Sequence, residues 1–155
     1  IDEDFGMAFA KSQIAGGTNI PKSGVVFVSV KDSDKDKILE PVSELIKLGF
    51  NIIATDGTAE FFNKNGINAI KINKVLEGSP HIVEEKNNKF SLVFNTTETP
   101  QAIKDSKSIR RSALEAEVPY YTTVSGAIAS VLGIKSIINK EISVRTIQSY
   151  GKLLN

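Results

Sequence analysis

The sequence predicts an α/β fold built around a mostly parallel sheet. Short apolar runs rich in β-branched residues alternate along the chain with segments whose apolar residues recur at helical spacing. Strands that alternate with helices are joined by crossovers, which leave neighbouring strands parallel. The length of 155 residues fits one domain, and a composition of 41% hydrophobic and 24% charged residues is that of a soluble globular protein.

The charge balance and the cysteine and histidine counts exclude several classes of function. Nineteen Lys and Arg against 18 Asp and Glu give a net charge of +1, which argues against a general nucleic-acid binder. Without cysteine the chain has no disulfide, no thiolate nucleophile and no Cys-ligated metal. A single histidine argues against a catalytic triad or a metal site built on histidines. We therefore expect a cytoplasmic protein that binds neither nucleic acid nor membrane.

The amino-terminal segment is predicted to be the end of another domain followed by a linker. The first four residues, Ile-Asp-Glu-Asp, carry no signal or transit peptide pattern, so the sequence resembles a piece of a longer chain. Residues 4–14 have helical spacing, and residues 16–24 contain three Gly and one Pro among small polar residues. We expect a domain boundary that separates residues 1–23 from residues 24–155.

The elements of the first half follow in a regular order. Residues 24–30 form a β-branched apolar run, and residues 50–54 and 68–72 repeat that pattern. Residues 34–48 form an amphipathic helix, because Ile38, Val42 and Leu45 are spaced i, i+4 and i+7. Ser33 begins a possible capping box before this helix. A second helix is predicted over 58–65.

The second half continues the alternation. The runs at 90–94 and 118–120 predict a fourth and a fifth strand. Residues 98–116 have helical spacing, residues 123–132 predict a helix of small residues, and a last helix begins near residue 142. In sheets of this kind, ligands bind beyond the carboxyl ends of the strands.

The residues that follow four of the strands are rich in hydroxyl, amide and ammonium groups. After the second strand the chain reads Thr55-Asp56-Gly57-Thr58 and then enters a helix. The helix amino terminus and the two hydroxyls favour an anion, and Lys35 and Lys74 follow neighbouring strands. The alternative is that either Thr is only an N-cap and Gly57 a turn residue. The four polar segments together favour a phosphate or nucleotide site, although neither a P-loop nor a GxGxxG motif is present.

Other polar residues are interpreted as structural. His81 lies beside a turn with no second histidine, which is typical of a hydrogen-bonding or interface residue. Arg110 and Arg111 belong to a charge run that is typical of a solvated helix face, whereas Asp105 and Ile109 share another face of that helix.

Three runs of the sequence resemble a known family. They are Asn73-Lys74-Val75-x-Glu77-Gly78-x-Pro80-His81-Ile82, Asn95-Thr96-Thr97, and Asp105-Ser106-x-x-Ile109-Arg110-Arg111-x-Ala113-Leu114. Together they resemble the C-terminal allosteric domain of the carbamoyl-phosphate synthase large subunit. Residues 4–13 resemble the end of the adjoining synthetase domain.

The resemblance implies a three-layer, methylglyoxal-synthase-like fold with a central, mostly parallel five-stranded sheet flanked by helices. In that family the domain is not catalytic and binds UMP or IMP as an allosteric effector. The parent enzyme makes carbamoyl phosphate from glutamine, bicarbonate and ATP, with Mg or Mn, for pyrimidine and arginine synthesis. Its partners are the rest of the large subunit and a glutaminase small subunit.

The resemblance also implies a set of ligand-binding residues and no catalytic residue, metal or cofactor within this domain. The phosphate is expected against the ammonium and hydroxyl groups, and the ribose or base against Asn95 to Thr97 and Asp105. The family's nucleotide site corresponds to Ser29, Lys35, Thr55, Gly57, Thr58, Lys74, Asn95, Thr96, Thr97, Asp105 and Ile109. Tyr121 stands where some relatives place an acid that binds ornithine, so control by ornithine is not expected.

Two related enzymes are alternatives: one shares the fold and the other shares pieces of the sequence. A lyase of the methylglyoxal synthase type needs a carboxylate base in a Gly-Asp-Gln loop and a His. Residues 77–81 read Glu-Gly-Ser-Pro-His instead, which leaves Asp56 as the one candidate base. The cyclohydrolase of purine synthesis shares Ser-Val and Gly-Thr-Ala pieces, but its Lys-Thr-Leu-His signature is absent.

Overall fold

The computed structural model describes residues 1–72, 90–97 and 100–151, and for residues 100–106 and 108 it describes the backbone. The strands are β1 (Val25–Ser29), β2 (Asn51–Thr55), β3 (Ala69–Ile72), β4 (Phe90–Asn95) and β5 (Tyr120–Tyr121). The helices are α1 (Phe5–Ala15), α2 (Lys35–Lys47), α3 (Asp56–Lys64), α4 (Pro100–Glu115), α5 (Val124–Asn139) and α6 (Ile147–Gly151). A 3₁₀ turn, Asp32–Asp34, precedes α2.

The five strands form one parallel sheet in the order β3-β2-β1-β4-β5. The chain adds β2 and β3 on one side of β1 and then returns to add β4 and β5 on the other side. The order therefore reverses between β1 and β4, and such a switch point opens a crevice at the carboxyl ends of the strands. Ser29 and Asn95 are paired in register at that point.

The sheet is covered on both faces, which gives three layers. On one face Val26, Val28 and Ala54 join the core that contains the buried residues of α1, α2, α3 and α5. On the other face Phe27 and Ile53 pack with residues of α4. Alternate strand residues point to opposite faces, so each buried strand contributes to both cores. The predicted α/β fold with a mostly parallel five-stranded sheet is confirmed.

Helix α1 packs against α5 through small residues and shares the larger core. Met7 and Ala10 are buried there. Gly6 lies against the backbone carbonyl of Leu132, and Gly133 lies against the ring of Phe9. The helix predicted over 4–14 is confirmed, whereas the assignment of residues 1–23 to a preceding domain stays a prediction.

Several predicted element ends differ from those in the structure. Helix α5 continues seven residues beyond the predicted end at 132, because Ile134 and Ile137 extend its buried face. Helix α3 begins two residues earlier than predicted. The predicted capping box at Ser33 does not form, because residues 32–34 adopt the 3₁₀ turn and no side chain caps α2. In the described part of the chain, no helix is long and apolar enough to cross a membrane.

Candidate functional site

A group of buried polar side chains lies at the carboxyl ends of β1, β2 and β4. Unsatisfied polar groups are costly to bury, so such a group needs partners from the protein or from a ligand. All five members of the group were predicted as ligand-binding residues. The group contains Ser29, Thr55, Thr58, Asn95 and Thr96.

Three hydroxyls of this group form a loosely bonded cluster. The Thr55 Oγ1 atom lies 3.3 Å from Ser29 Oγ and 3.3 Å from Thr58 Oγ1. Hydroxyl hydrogen bonds are usually near 2.7–2.8 Å, so these contacts are long and weak. The hydroxyls can therefore turn toward a stronger acceptor, such as an anionic oxygen, at small cost.

Backbone hydrogen bonds hold the strand ends in place around this cluster. The amide of Thr96 donates to the carbonyl of Ser29 at 3.0 Å. The Thr96 hydroxyl accepts from the amide of Lys31 at 3.1 Å, and the Thr58 hydroxyl accepts from the amide of Val30 at 3.4 Å. Thr96 thus connects the segment after β1 to β4 and fixes that side of the crevice, whereas the contact of Thr58 with the same segment is long.

Lys35 brings a positive charge over the amino terminus of α3. Its Nζ atom lies 3.5 Å from the point that a Cβ atom on Gly57 would occupy, and 5.9 Å from the centre of the Phe61 ring. The Lys35 side chain is 16% exposed, and its ammonium pairs with the carboxylate of Asp32 at 2.7 Å. An ammonium beside the positive end of a helix dipole creates a site for a negative charge.

The amino terminus of α3 is not capped by a side chain. Thr55 occupies the N-cap position, but its hydroxyl faces Ser29 and Thr58 and makes no capping bond. In contrast, Asp4 caps α1 and Thr123 caps α5. Gly57 lies in the first helical turn and not in a loop turn. Thr55 is therefore the N-cap residue of α3 by position, as the alternative predicted, but it makes no side-chain capping bond, and Gly57 is a helical residue and not a turn residue.

Asn95 is held by a tyrosine that sequence analysis did not select. Its side-chain amide donates a short hydrogen bond to the Tyr120 hydroxyl. The guanidinium of Arg110 lies 5.6 Å from the centre of the Tyr120 ring, within cation–π range. Arg111, on the same helix, pairs with Glu115 at 2.9 Å. Both arginines are exposed, as the predicted solvated helix face requires, and Arg110 in addition contacts a neighbour of the site.

The remaining predicted residues are more scattered. Ile109 is buried with Phe27 and Val93 in the core between α4 and the sheet. Thr97 is half-buried just after β4. Lys74, His81 and the side chain of Asp105 lie outside the described residues. Their places in the site stay predictions.

Asp56, the candidate base of the alternative lyase, is paired with a lysine. The Lys71 ammonium lies 2.5 Å from its carboxylate. Within the described ranges, no group of three acidic or histidine residues is arranged to hold a metal ion.

Tyr121, which stands in place of an acid found in some relatives, contacts α1. Its hydroxyl donates to Gln13 Oε1 at 3.3 Å, and its ring lies between those of Phe9 and Phe94. Burial raises the pKa of the Tyr121 hydroxyl, so this side chain is neutral at physiological pH. It offers no negative charge to a cationic ligand.

Comparison with known proteins identifies the family. Residues 37–122, more than half of the chain, match the family model of the MGS-like domain. The chain belongs to the MGS-like domain family. This family assignment agrees with the resemblance that the sequence runs predicted.

The MGS-like domain has relatives in full-length enzymes. It is 49% identical to a carbamoyl phosphate synthase large chain from Rhizobium meliloti and 50% identical to one from Mesorhizobium japonicum. A large chain from Methanobrevibacter smithii is 44% identical. Each match covers 97% of this chain, which spans only 13–14% of the length of these relatives.

Proposed function

We propose that this domain binds the phosphate of a nucleoside monophosphate, of the UMP or IMP type, in the crevice between β1, β2 and β4. We further propose that it is the effector-binding part of the large chain of a glutamine-hydrolysing, cytoplasmic carbamoyl phosphate synthase. In that role its partners are the rest of the large chain and a glutaminase subunit, and the parent enzyme uses ATP with Mg or Mn. The similarity to carbamoyl phosphate synthase large chains supports this second part.

The single observation that carries the phosphate assignment is the Lys35 ammonium over Gly57 in the first turn of α3. Like charges repel, so a cation at the positive end of a helix dipole is stabilised by an anion that contacts both. Gly57 has no side chain, so an oxygen can approach the helix backbone closely. The Thr55 and Thr58 hydroxyls, held only by long contacts, complete a set of donors suited to a phosphate.

A nucleotide extends beyond its phosphate, and the site offers a second group of contacts. Asn95 lies at the end of β4, beside Ser29 in the sheet register. An amide presents both donors and acceptors, which suits a ribose hydroxyl or a base edge. We therefore place the sugar and base toward Asn95 and Thr97.

Regulation by such a ligand is a matter of linkage. A nucleotide that binds better to one of two conformations of the parent enzyme shifts the equilibrium toward that conformation. Couplings of this kind are typically about 1–3 kcal/mol and act reciprocally on substrate binding. The contact between Tyr121 and Gln13 connects β5, at the sheet edge next to the site, to α1 and offers a route for the coupling.

A lyase of the methylglyoxal synthase type is the alternative function. The sequence argues against it, because residues 77–81 lack the Gly-Asp-Gln loop that carries the base of that enzyme, and the one other candidate base, Asp56, pairs with Lys71. The two functions are separated by an assay for methylglyoxal release from dihydroxyacetone phosphate. Turnover that an Asp56→Asn change abolishes would overturn the regulatory assignment.

The experiment that tests the proposal is a set of thermal melts with UMP, IMP, ribose 5-phosphate or ornithine. A ligand that binds only the folded state stabilises it by about 2.7 kcal/mol at 100 times its Kd. For a domain of this size that is a rise of roughly 5–10 °C in Tm. We expect the rise with UMP or IMP and none with ornithine, because Tyr121 carries no charge. No rise with any phosphate compound would refute the nucleotide site.

A further inference from the structure

The two side chains of the ion pair between Asp32 and Lys35 differ greatly in solvent exposure. The Asp32 side chain is 94% exposed, whereas that of Lys35 is 16% exposed and reaches into the candidate site. Exposed ion pairs contribute little to stability, because water stabilises an exposed carboxylate nearly as well as a neighbouring ammonium does. The pair therefore has no strong structural role to explain it.

Local backbone geometry directs the Asp32 carboxylate toward this ammonium. Asp32 begins the 3₁₀ turn that follows β1, and Lys35 comes three residues later. In a 3₁₀ turn the side chains at i and i+3 are aligned, so the two groups meet at 2.7 Å. The turn thus brings a carboxylate to the mouth of the site, on the cation that a phosphate would use.

We infer that Asp32 is an internal competitor that sets the affinity of the site for phosphate compounds. Its carboxylate occupies the Lys35 ammonium when the site is empty and yields it when a phosphate binds. This inference rests on the proposed function and deepens it, because it identifies the residue that weakens binding. With such a competitor, the site fills at a higher ligand concentration than it would if its hydrogen-bond donors and ammonium were unoccupied.

The expected effect of removing the competitor is a gain of affinity. Asp32→Asn removes one negative charge that both pairs with Lys35 and repels the phosphate dianion. At the dielectric of a protein surface, interactions of this kind change affinity by about three- to tenfold. The gain is equal for UMP, IMP and ribose 5-phosphate, because phosphate is the group they share.

A matched control is available on the neighbouring helix. Asp36 lies in the first turn of α2 and is exposed. Residues one position apart on a helix point in different directions, so Asp36→Asn changes the net charge equally while leaving the pair intact. We would titrate UMP, IMP and ribose 5-phosphate by calorimetry into the unchanged chain and both variants, with a thermal melt of each.

The expected result is tighter binding of all three compounds by Asp32→Asn, no change with Asp36→Asn and equal Tm values without ligand. Equal affinities for Asp32→Asn and the unchanged chain would overturn the inference but leave the proposed function standing. An equal gain in both variants would also overturn it, because the effect would then be one of net charge. Binding of none of the three compounds by the unchanged chain would overturn the proposed function as well.

Discussion

At the residue scale, Lys35 determines the character of the candidate site. Its ammonium lies near the first turn of α3 and is largely shielded from water. The same ammonium lies 5.9 Å from the centre of the Phe61 ring, within cation–π range.

Replacing this charge is expected to weaken phosphate binding and leave the fold intact. Lys35→Met keeps the aliphatic stem and removes the ammonium, which should raise the Kd for UMP or IMP at least about tenfold. Lys37→Met is the control, because the Lys37 side chain is 65% exposed and pairs only distantly, at 3.9 Å, with Asp34. Calorimetry measures both, and equal Kd values for the two variants would contradict the role of Lys35.

Gly57→Ala is expected to move stability and binding in opposite directions. The added methyl group would lie 3.5 Å from Lys35 Nζ, an ordinary contact that the fold accommodates. Alanine stabilises a helix relative to glycine by about 0.5–1 kcal/mol, so the urea midpoint of unfolding should rise. The same methyl group fills the space between the ammonium and the helix, so the Kd should rise. An unchanged Kd would remove Gly57 from the site.

At the element scale, helices α2 and α5 are joined by a charge cluster. Glu44 of α2 accepts from Lys47 at 2.6 Å and from Lys135 of α5 at 2.9 Å. The hydrogen bond from Lys47, followed by that from Lys135, lowers the pKa of Glu44 from 4.5 to about 2. This cluster makes the packing of two helices sensitive to acid.

The sign of the pH dependence follows from the direction of this shift. A carboxyl whose pKa is lower in the folded state contributes stability above its unfolded pKa, here about 4.5, and loses it as the pH falls toward 2. The unchanged chain should therefore be more stable than Glu44→Gln at pH 6, and most of the difference should be lost as the pH falls to about 2. Urea midpoints across this range measure it, with Glu60→Gln on the exposed surface of α3 as the control. A difference that persists at pH 2 would mean that charge is not the cause.

The packing of α1 on α5 depends on close approach at Gly6. A Cβ atom there would collide with the backbone carbonyl of Leu132 and with the Ser136 hydroxyl. Gly6→Ala should therefore destabilise the fold by about 1–3 kcal/mol, as overpacking does. Gly16→Ala, at the end of the same helix, meets nothing closer than 3.4 Å and should be nearly neutral. Equal urea midpoints for the two variants would show that the helices separate easily.

At the scale of the whole molecule, the described core includes α1 together with the sheet. Met7 is 3% exposed and Ala10 is fully buried, in the same cluster as residues of β1, β2 and α5. The helix therefore stabilises the domain by direct burial.

Deleting residues 1–16 is expected to destabilise the whole domain. The deletion uncovers the face of α5 around Gly133 and removes two buried side chains from the core. We expect a fall in Tm of more than about 10 °C, because several kcal/mol of burial are lost. Removing residues 147–155 is the comparison, because α6 has no buried residue. A Tm that is equal after both deletions would mean that residues 17–155 fold without α1, as the predicted boundary before residue 24 requires.

The sequence by itself determined the order and type of the elements and the polar residues after the strands. These features are local, because the period of the apolar residues reports how each segment meets a core. Alternation of strands and helices also limited the topology to parallel crossovers. The predicted helix ends were less accurate. At α5 the buried face continues past residue 132, because it packs on elements that are distant in sequence.

The tertiary structure alone decided which of the polar residues meet and what they do. No local pattern indicates that Lys35 lies over Gly57 or that Tyr120 holds Asn95. Gln13 and Tyr121 are separated by 108 residues and meet only because α1 and β5 both pack near α5. A sequence period identifies the buried face of an element, whereas the side chains of two elements come together only once the sheet order and helix packing have been set.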